Sequence, residues 1–553
     1  MRRHPNPCCF QRQHGHHGRH HHHHHQHNHQ RRQGKNVLCA STSSASGGGE
    51  KETTGGGADL APVPLSKREW NAADLAALWI GMIVCVPAYQ ICTSLVTVHA
   101  LSMTQALIVV LLGNAISLAP MVLQGHAGVK YGISFPVHAR AVYGHRGSHV
   151  ATFLRGSVAC GWFGIQTYVG GMALYQLVDA VVPTLNQAIL ASTTPDVMGL
   201  AADKFASLFA FWLVQVFIVV RGMGAIQILE RVSAPVLGVL CTLLLCWAAN
   251  AASTATGQPA IEALKHVSKP LAPEIFIKQL GPTVTAFVGF WATLALNISD
   301  FTRLATSHRA SFVGQGLGLP IFSVAFATMA IGVTACTVSA FGTAIADPVA
   351  LVGRVASGSN SNITAAVLSL IGLMVATLST NIAANVVAPA NALSNAFPNA
   401  FSTFARSGML VCSLGIASMP WKWADTSAMI TWLLGYSVIL APVLGIMLVD
   451  YFIVNGRSID VDELYVATPK SRYFYWNGFH VSAILCTLLA TLVNVPGLLH
   501  ALGVLNEIPT ILLKSFEFSW FTGVGFGALL YWFVKAIDFK GFGAYQWRKT
   551  IYT

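Results

Sequence analysis

Six side chains inside the apolar runs of this 553-residue chain have types and spacings that could do chemistry. Trp162 and Gln166, in Cys160-Gly-Trp162-Phe-Gly-Ile-Gln166-Thr-Tyr168, are four apart and share one helix face. An indole beside an amide suits a flat heteroaromatic ring. The indole stacks on the ring face, for about 1–3 kcal/mol per base, and the amide reads donors and acceptors on its edge. Trp291, in Phe287-Val-Gly-Phe-Trp291, offers a second indole. Ser379 and Thr380 present neutral oxygens which, with backbone carbonyls, suit a small hard cation such as sodium. Asn385 follows about a turn and a half later and can pair with a substrate's amide edge. Each feature has a plainer reading, since tryptophans pack and small polar residues bond between membrane helices. Together they describe a ring held between two tryptophans, with Gln and Asn at its edge.

The setting for these residues is a membrane. Hydrophobic residues make up 54% of the chain and charged ones 10%, against about 25% charged in soluble domains. Mean hydropathy is +0.56. Apolar runs near spanning length recur, so an all-α polytopic membrane protein is expected. The net charge of +12 is partly local, because eight basic and three acidic residues precede Ser66. No basic surface with interleaved aromatics points to nucleic acid. The eleven cysteines include no Cys-x-x-Cys pair and read as small apolar residues. There is no phosphate loop of the Gly-x-x-x-x-Gly-Lys-Ser/Thr type, no His-Glu-x-x-His and no mid-membrane carboxylate pair. An enzyme is not expected. Asp179, Glu230, Asp300 and Asp450 fall near predicted helix ends. A membrane interior nearly free of charge predicts a neutral substrate.

Twelve spans are expected, at 73–98, 104–124, 150–180, 204–221, 233–252, 280–298, 316–341, 363–388, 405–419, 424–453, 479–499 and 517–536. Two carry helix-breaking residues. Span one has Gly81 and Pro87, and span six has Gly281-Pro282 and Gly289. Spans one and six are five helices apart, the spacing of inverted-repeat secondary transporters, whose broken helices expose backbone groups to a solute or ion. With the N-terminus inside, inner segments hold 18 Lys and Arg against 7 outside, so both termini are expected inside. Residues 1–66 form a separate tail holding twelve of the 21 histidines. It cannot pack a core. Its arginines, its serines and the absence of acids before Glu50 suit an organelle transit peptide; metal binding by the histidines is the other reading. The expected layout is this tail, a transporter domain at 67–538 and a short C-terminal tail at 539–553.

Several longer stretches carry a resemblance. They are Gly132-Ile-Ser-Phe-Pro136-Val-His-Ala-Arg140 with Tyr143-Gly144, Gly161-Trp162-Phe-Gly-Ile-Gln166, and Gly289-Phe-Trp291-Ala-Thr-Leu-Ala-Leu-Asn297-Ile-Ser-Asp300-Phe-Thr-Arg303. Ser379-Thr-Asn381 with Asn385 and Pro389-Ala390, Phe397-Pro398, Met419-Pro420-Trp421 and Asp450-Tyr-Phe-Ile complete the set. Over roughly residues 66–540 the chain resembles the nucleobase–cation-symport-1 family of bacterial hydantoin transporters, fungal purine, uracil and allantoin permeases, and plant plastidic nucleobase transporters. The phrase around Trp291 looks most like the plant and algal branch.

The resemblance implies a 5+5 inverted repeat with discontinuous helices 1 and 6, plus two C-terminal helices. It implies that Trp162 and Trp291 sandwich the substrate while Gln166 and Asn385 bind its edges. From the sodium-coupled bacterial member it implies a cation site at Gly81, Val84, Ala376, Ser379 and Thr380. Two positions depart from that member. Cys85 replaces a substrate-contacting glutamine, and Phe290 replaces a small residue, which implies a differently shaped substrate pocket. The implied activity is cation-driven symport of adenine, guanine, uracil, cytosine or allantoin. A proton is favoured over sodium, no other cofactor is needed, and the partners are a small-molecule base and the lipid bilayer. The chloroplast envelope is favoured, with the plasma membrane next. A base-sensing receptor or an amino-acid symporter on the same fold are the alternatives.

Overall fold

The computed structural model describes residues 58–192, 196–262, 269–357, 363–423 and 426–542. They lie in one compact unit, Glu52–Thr553. The expected targeting tail falls outside the described residues up to residue 57, as does the C-terminal tail from residue 543.

Helix α1 (Ala72–Ile83) starts at a capping box. Asn71 Oδ1 accepts from the Ala73 and Asp74 amides at 2.8 and 3.1 Å, and Asp74 accepts from the Asn71 amide at 3.0 Å. The chain then leaves helical geometry at Val84 and Cys85 and restarts as α2 (Val86–Thr97), bent by 67°. Pro87 sits in the first turn of α2, where its missing N–H costs nothing and its fixed φ starts a helix. The expected break in span one is therefore present.

The later helices follow in order: α3 (Met103–Tyr131), α4 (Phe135–Tyr143), α5 (Ser148–Val181), α6 (Pro183–Ser192), α7 (Ala202–Val219) and α8 (Met223–Thr256). Next come α9 (Pro273–Asn297), α11 (His308–Gly316) after a single turn α10 (Ser299–Thr302), and α12 (Phe322–Phe341), joined to α11 by a π-helical stretch, Leu317–Ile321, around Pro320. The rest are α13 (Pro348–Ser357), α14 (Ile363–Asn385), α15 (Val387–Ala396), α16 (Phe404–Ala417), α17 (Thr426–Val449), α18 (Val481–Leu492), α19 (Val495–Ala501), α20 (Thr510–Glu517) and α21 (Ser519–Phe542).

Span six is not broken. Helix α9 is continuous across Gly281, Pro282 and Gly289, which corrects the expectation of a second discontinuous helix. Pro282 deprives the helix of one N–H, but neighbouring hydroxyls bond the backbone around it. Thr283 Oγ1 donates to the Gln279 and Leu280 carbonyls at 2.7 and 3.1 Å, and Thr285 Oγ1 donates to the Gly281 carbonyl at 2.8 Å. Gly289 instead allows close packing on α17, where an added Cβ would meet Leu433 at 3.2 Å and Ser437 at 3.4 Å.

Among the described residues eight helices are long and apolar enough to cross a membrane, or ten if each of two bent pairs is one span. The bent pairs are α1–α2 and α18–α19. The other two expected spans are α5, which is 34 residues long but carries Arg155, Gln166, Gln176 and Asp179, and α16, which at 14 residues is only about 21 Å long.

Helix α8 begins ten residues before the expected start at 233, and α21 runs four residues past 538. Packing also begins before residue 66. Leu60 is fully buried in a cluster with Ile133, Val137 and Tyr451. Asp59 accepts from the Phe404 amide at 2.6 Å, and Arg303 donates to the Asp59 carbonyl at 2.9 Å. Residues 58–68 thus strap one end of the bundle, held again where the Val63 amide bonds the Gly132 carbonyl at 2.9 Å. Arg140 and Arg155, two of the 18 Lys and Arg expected on the inner side, are buried, and without them the bias keeps its direction.

Candidate functional site

Helix α5 packs against α7, α14 and α15, and α1 packs against α8 and α14. These contacts bring the expected residues to two adjoining places.

The first is aromatic. Trp162 on α5 and Trp291 on α9 are both buried. Phe290 is in ring contact with both. Its ring is 6.0 Å from that of Trp162 and 4.6 Å from that of Trp291, nearly edge-on to both. Trp79 on α1 packs edge-on to Trp291 at 5.6 Å. Edge-to-face contacts at these distances are favourable aromatic geometry. Gln166, one turn beyond Trp162, is buried, and its Oε1 has no hydrogen-bond partner. A buried amide oxygen left unpaired is costly unless a ligand or water meets it.

Asn385, at the end of α14, donates to Asn381 Oδ1 at 3.0 Å. Asn381 in turn donates to the Phe163 carbonyl, Thr167 Oγ1 and Gln215 Oε1 at 3.1, 3.1 and 2.7 Å. That network fixes α14 against α5 and α7. Below it, Arg155 ties three helices together, donating to the Thr293 carbonyl at 3.1 Å, Asn297 Oδ1 at 2.9 Å and the Ala384 carbonyl at 3.1 Å. Three residues after Asn297, Asp300 accepts from the Phe135 amide at 3.0 Å, and burial pushes its carboxyl up to about 6.

The second place is the break between α1 and α2. Thr380 Oγ1 donates to the Gly81 and Met82 carbonyls at 3.0 and 3.1 Å. Ser379 lies beside them, and its hydroxyl donates to Glu230 Oε2 at 2.6 Å. Cys85 caps α2 in extended backbone (φ −144°) and is buried. Val84, Cys85 and Ala376 line an apolar cavity of about 520 Å³, together with Tyr89, Leu240 and Trp247. Trp162, Gln166, Trp291 and Asn385 do not line that cavity. Phe290 and Trp291 line a void of about 10 Å³ with Asn114 and Ser323, each of which has an unpartnered oxygen.

Glu230 is the residue that sequence reasoning misplaced. Gln227, Glu230 and Arg231 interrupt the apolar run, so the sequence predicts a span starting at 233 with Glu230 just outside it. Since α8 begins at Met223, Glu230 lies two turns inside and is 1% exposed. Arg155 and Asn381 were visible as polar residues in apolar runs, but only the packing shows that they anchor the site.

A family profile described as "Permease for cytosine/purines, uracil, thiamine, allantoin" matches residues 62–523. The purine-uracil permease NCS1 of Arabidopsis thaliana is 37% identical over 480 residues, covering 86% of this chain and 77% of that one. The allantoin permease of Bacillus subtilis (strain 168) is 33% identical over 477 residues, covering 86% and 91%. Among solved structures, Mhp1, a nucleobase-cation-symport-1 family transporter in a closed conformation with bromovinylhydantoin bound, has a TM-score of 0.70 at 23% identity, covering 88% of this chain and 96% of that one. Its inward-facing conformation has a TM-score of 0.65. The fold is that of Mhp1.

Proposed function

The chain belongs to the family of permeases for cytosine/purines, uracil, thiamine and allantoin, an integral membrane transporter rather than an enzyme, and on that footing we propose that it is a secondary active symporter for purine and pyrimidine bases. The substrates are adenine, guanine, uracil or cytosine, with allantoin as a further candidate. One observation carries this reading: the unpaired Gln166 oxygen, buried one turn from Trp162, whose ring meets Phe290 edge-on. An aromatic wall with an amide at its edge recognises flat, neutral, hydrogen-bonding rings. Asn385 reads the second edge. Phe290 adds a ring to the wall between Trp162 and Trp291, which favours unsubstituted bases over bulky hydantoins.

Transport proceeds by alternating access, with the α1–α2 break closing around base and cation. The driving ion is a cation, a proton before sodium, held near Gly81, Val84, Ala376, Ser379 and Thr380. The plastid envelope is the favoured membrane and the plasma membrane the second, with both termini inside and the tail acting in targeting. The test is uptake of radiolabelled adenine, guanine, uracil, cytosine and allantoin into proteoliposomes under a proton gradient, a sodium gradient or neither. Accumulation of one base above equilibrium under one gradient is expected. Base binding without accumulation would replace the symporter with a receptor or a facilitator.

A further inference from the structure

We propose that Glu230 is the anionic member of the coupling-cation site, the group whose charge the transported cation cancels. This inference rests on the symporter reading above and gives its cation a specific seat.

Three observations converge on it. Glu230 Oε2 accepts from Ser379 Oγ at 2.6 Å, while Oε1 is buried with no partner. Its neighbour Arg231 is turned to Asp74, and among the described residues no ion pair reaches Glu230. A carboxylate taken out of water without a countercharge is among the costliest groups a fold can bury, so a site that keeps one holds something positive there for part of its cycle. Finally, Gly81 leaves the room for it. A Cβ on Gly81 would strike both Glu230 Oε2 and Ser379 Oγ.

The polar partners at the break are oxygens: the Ser379 hydroxyl on Glu230, and next to it in sequence Thr380, whose Oγ1 bonds the Gly81 and Met82 carbonyls. Small hard cations take oxygen ligands. A proton and a sodium ion share the property that matters, since either neutralises the carboxylate. With the seat filled, α1, α8 and α14 close on a neutral contact. With it empty they close on an unpaired charge. Cation binding is thereby coupled to the geometry of the break.

The test is equilibrium binding of radiolabelled uracil and adenine to the purified full-length protein. Sodium is varied at fixed pH, and pH is varied without sodium. In the wild type one of the two cations should tighten base binding about tenfold, within the usual 5- to 150-fold range of coupling between sites. The arm that responds identifies the cation. Glu230→Gln should bind base with one affinity under all conditions, and should exchange base across a vesicle membrane without accumulating it. Wild-type linkage retained in Glu230→Gln overturns the inference and leaves the symporter reading intact. A wild type that binds no base takes down the symporter reading and this inference with it. A second arm needs no variant: hydrophobic carbodiimide labelling of Glu230 in the wild type, mapped by mass spectrometry. Labelling slowed by sodium or quickened by acid supports the seat. Labelling indifferent to both, in protein whose base binding still responds to a cation, overturns it.

Discussion

Helices α1–α2 and α9 occupy corresponding places in the two halves of the fold and carry the same punctuation, glycine and proline, yet only the first is broken. In α1–α2 the proline stands in the first turn of a new helix, and the residues before it, Val84 and Cys85, take non-helical backbone. In α9 the proline lies ten residues into a helix whose threonine hydroxyls bond the carbonyls around it. Glycine differs too. Gly81 makes room for a carboxylate and a hydroxyl, whereas Gly289 makes room for a neighbouring helix. Punctuation in a membrane helix is thus permission to break. The break follows where polar groups outside the helix take up the freed backbone, as Thr380 does for Gly81 and Met82.

The comparison can be broken at several points. The largest effect is expected from Gly81→Ala, which drives a methyl group into Glu230 and Ser379. Cation-driven uptake should vanish, with a stability loss of about 1–3 kcal/mol from overpacking; uptake near wild type would mean that the break does not depend on this contact. Trp291→Ala, on the unbroken helix, should cost about 1–3 kcal/mol of base binding, or about 5- to 150-fold in Kd, read by equilibrium binding. An unchanged Kd would remove Trp291 from the substrate site. Phe290→Ala should cost less, about 0.5–1.5 kcal/mol of aromatic contact, and should shift preference toward bulkier ring substituents in a competition assay. The smallest effect is expected from Thr283→Val. Losing hydroxyl support beside Pro282 should lower thermal stability by about 1 kcal/mol and leave Kd unmoved. A change in transport rate without a change in stability would show that α9 also bends during the cycle.

Much of the fold was legible because hydropathy marks each apolar run, and every expected span contains a helix of the structure. The aromatic and amide residues were legible because each stands out by type within such a run. Helix boundaries were not. Three polar residues in α8 masked ten residues of helix, and with them the depth of Glu230. The continuity of α9 was hidden as well, because it depends on which hydroxyls face which carbonyls. Nor could spacing reveal that Phe290 joins the two indoles, since residues on α5 and α9 meet only through packing.

The strap at residues 58–68 bears on how the chain could be shortened. Any maturation cut compatible with this fold falls before Asp59, because a later cut would take the carboxylate from the Phe404 amide, the carbonyl from Arg303 and the Leu60 side chain from its buried cluster. The mature N-terminus would then emerge as a short leader already tied to the bundle. A truncation or fusion joint placed at residue 66, where composition alone suggests it, would cut into a folded part of the molecule.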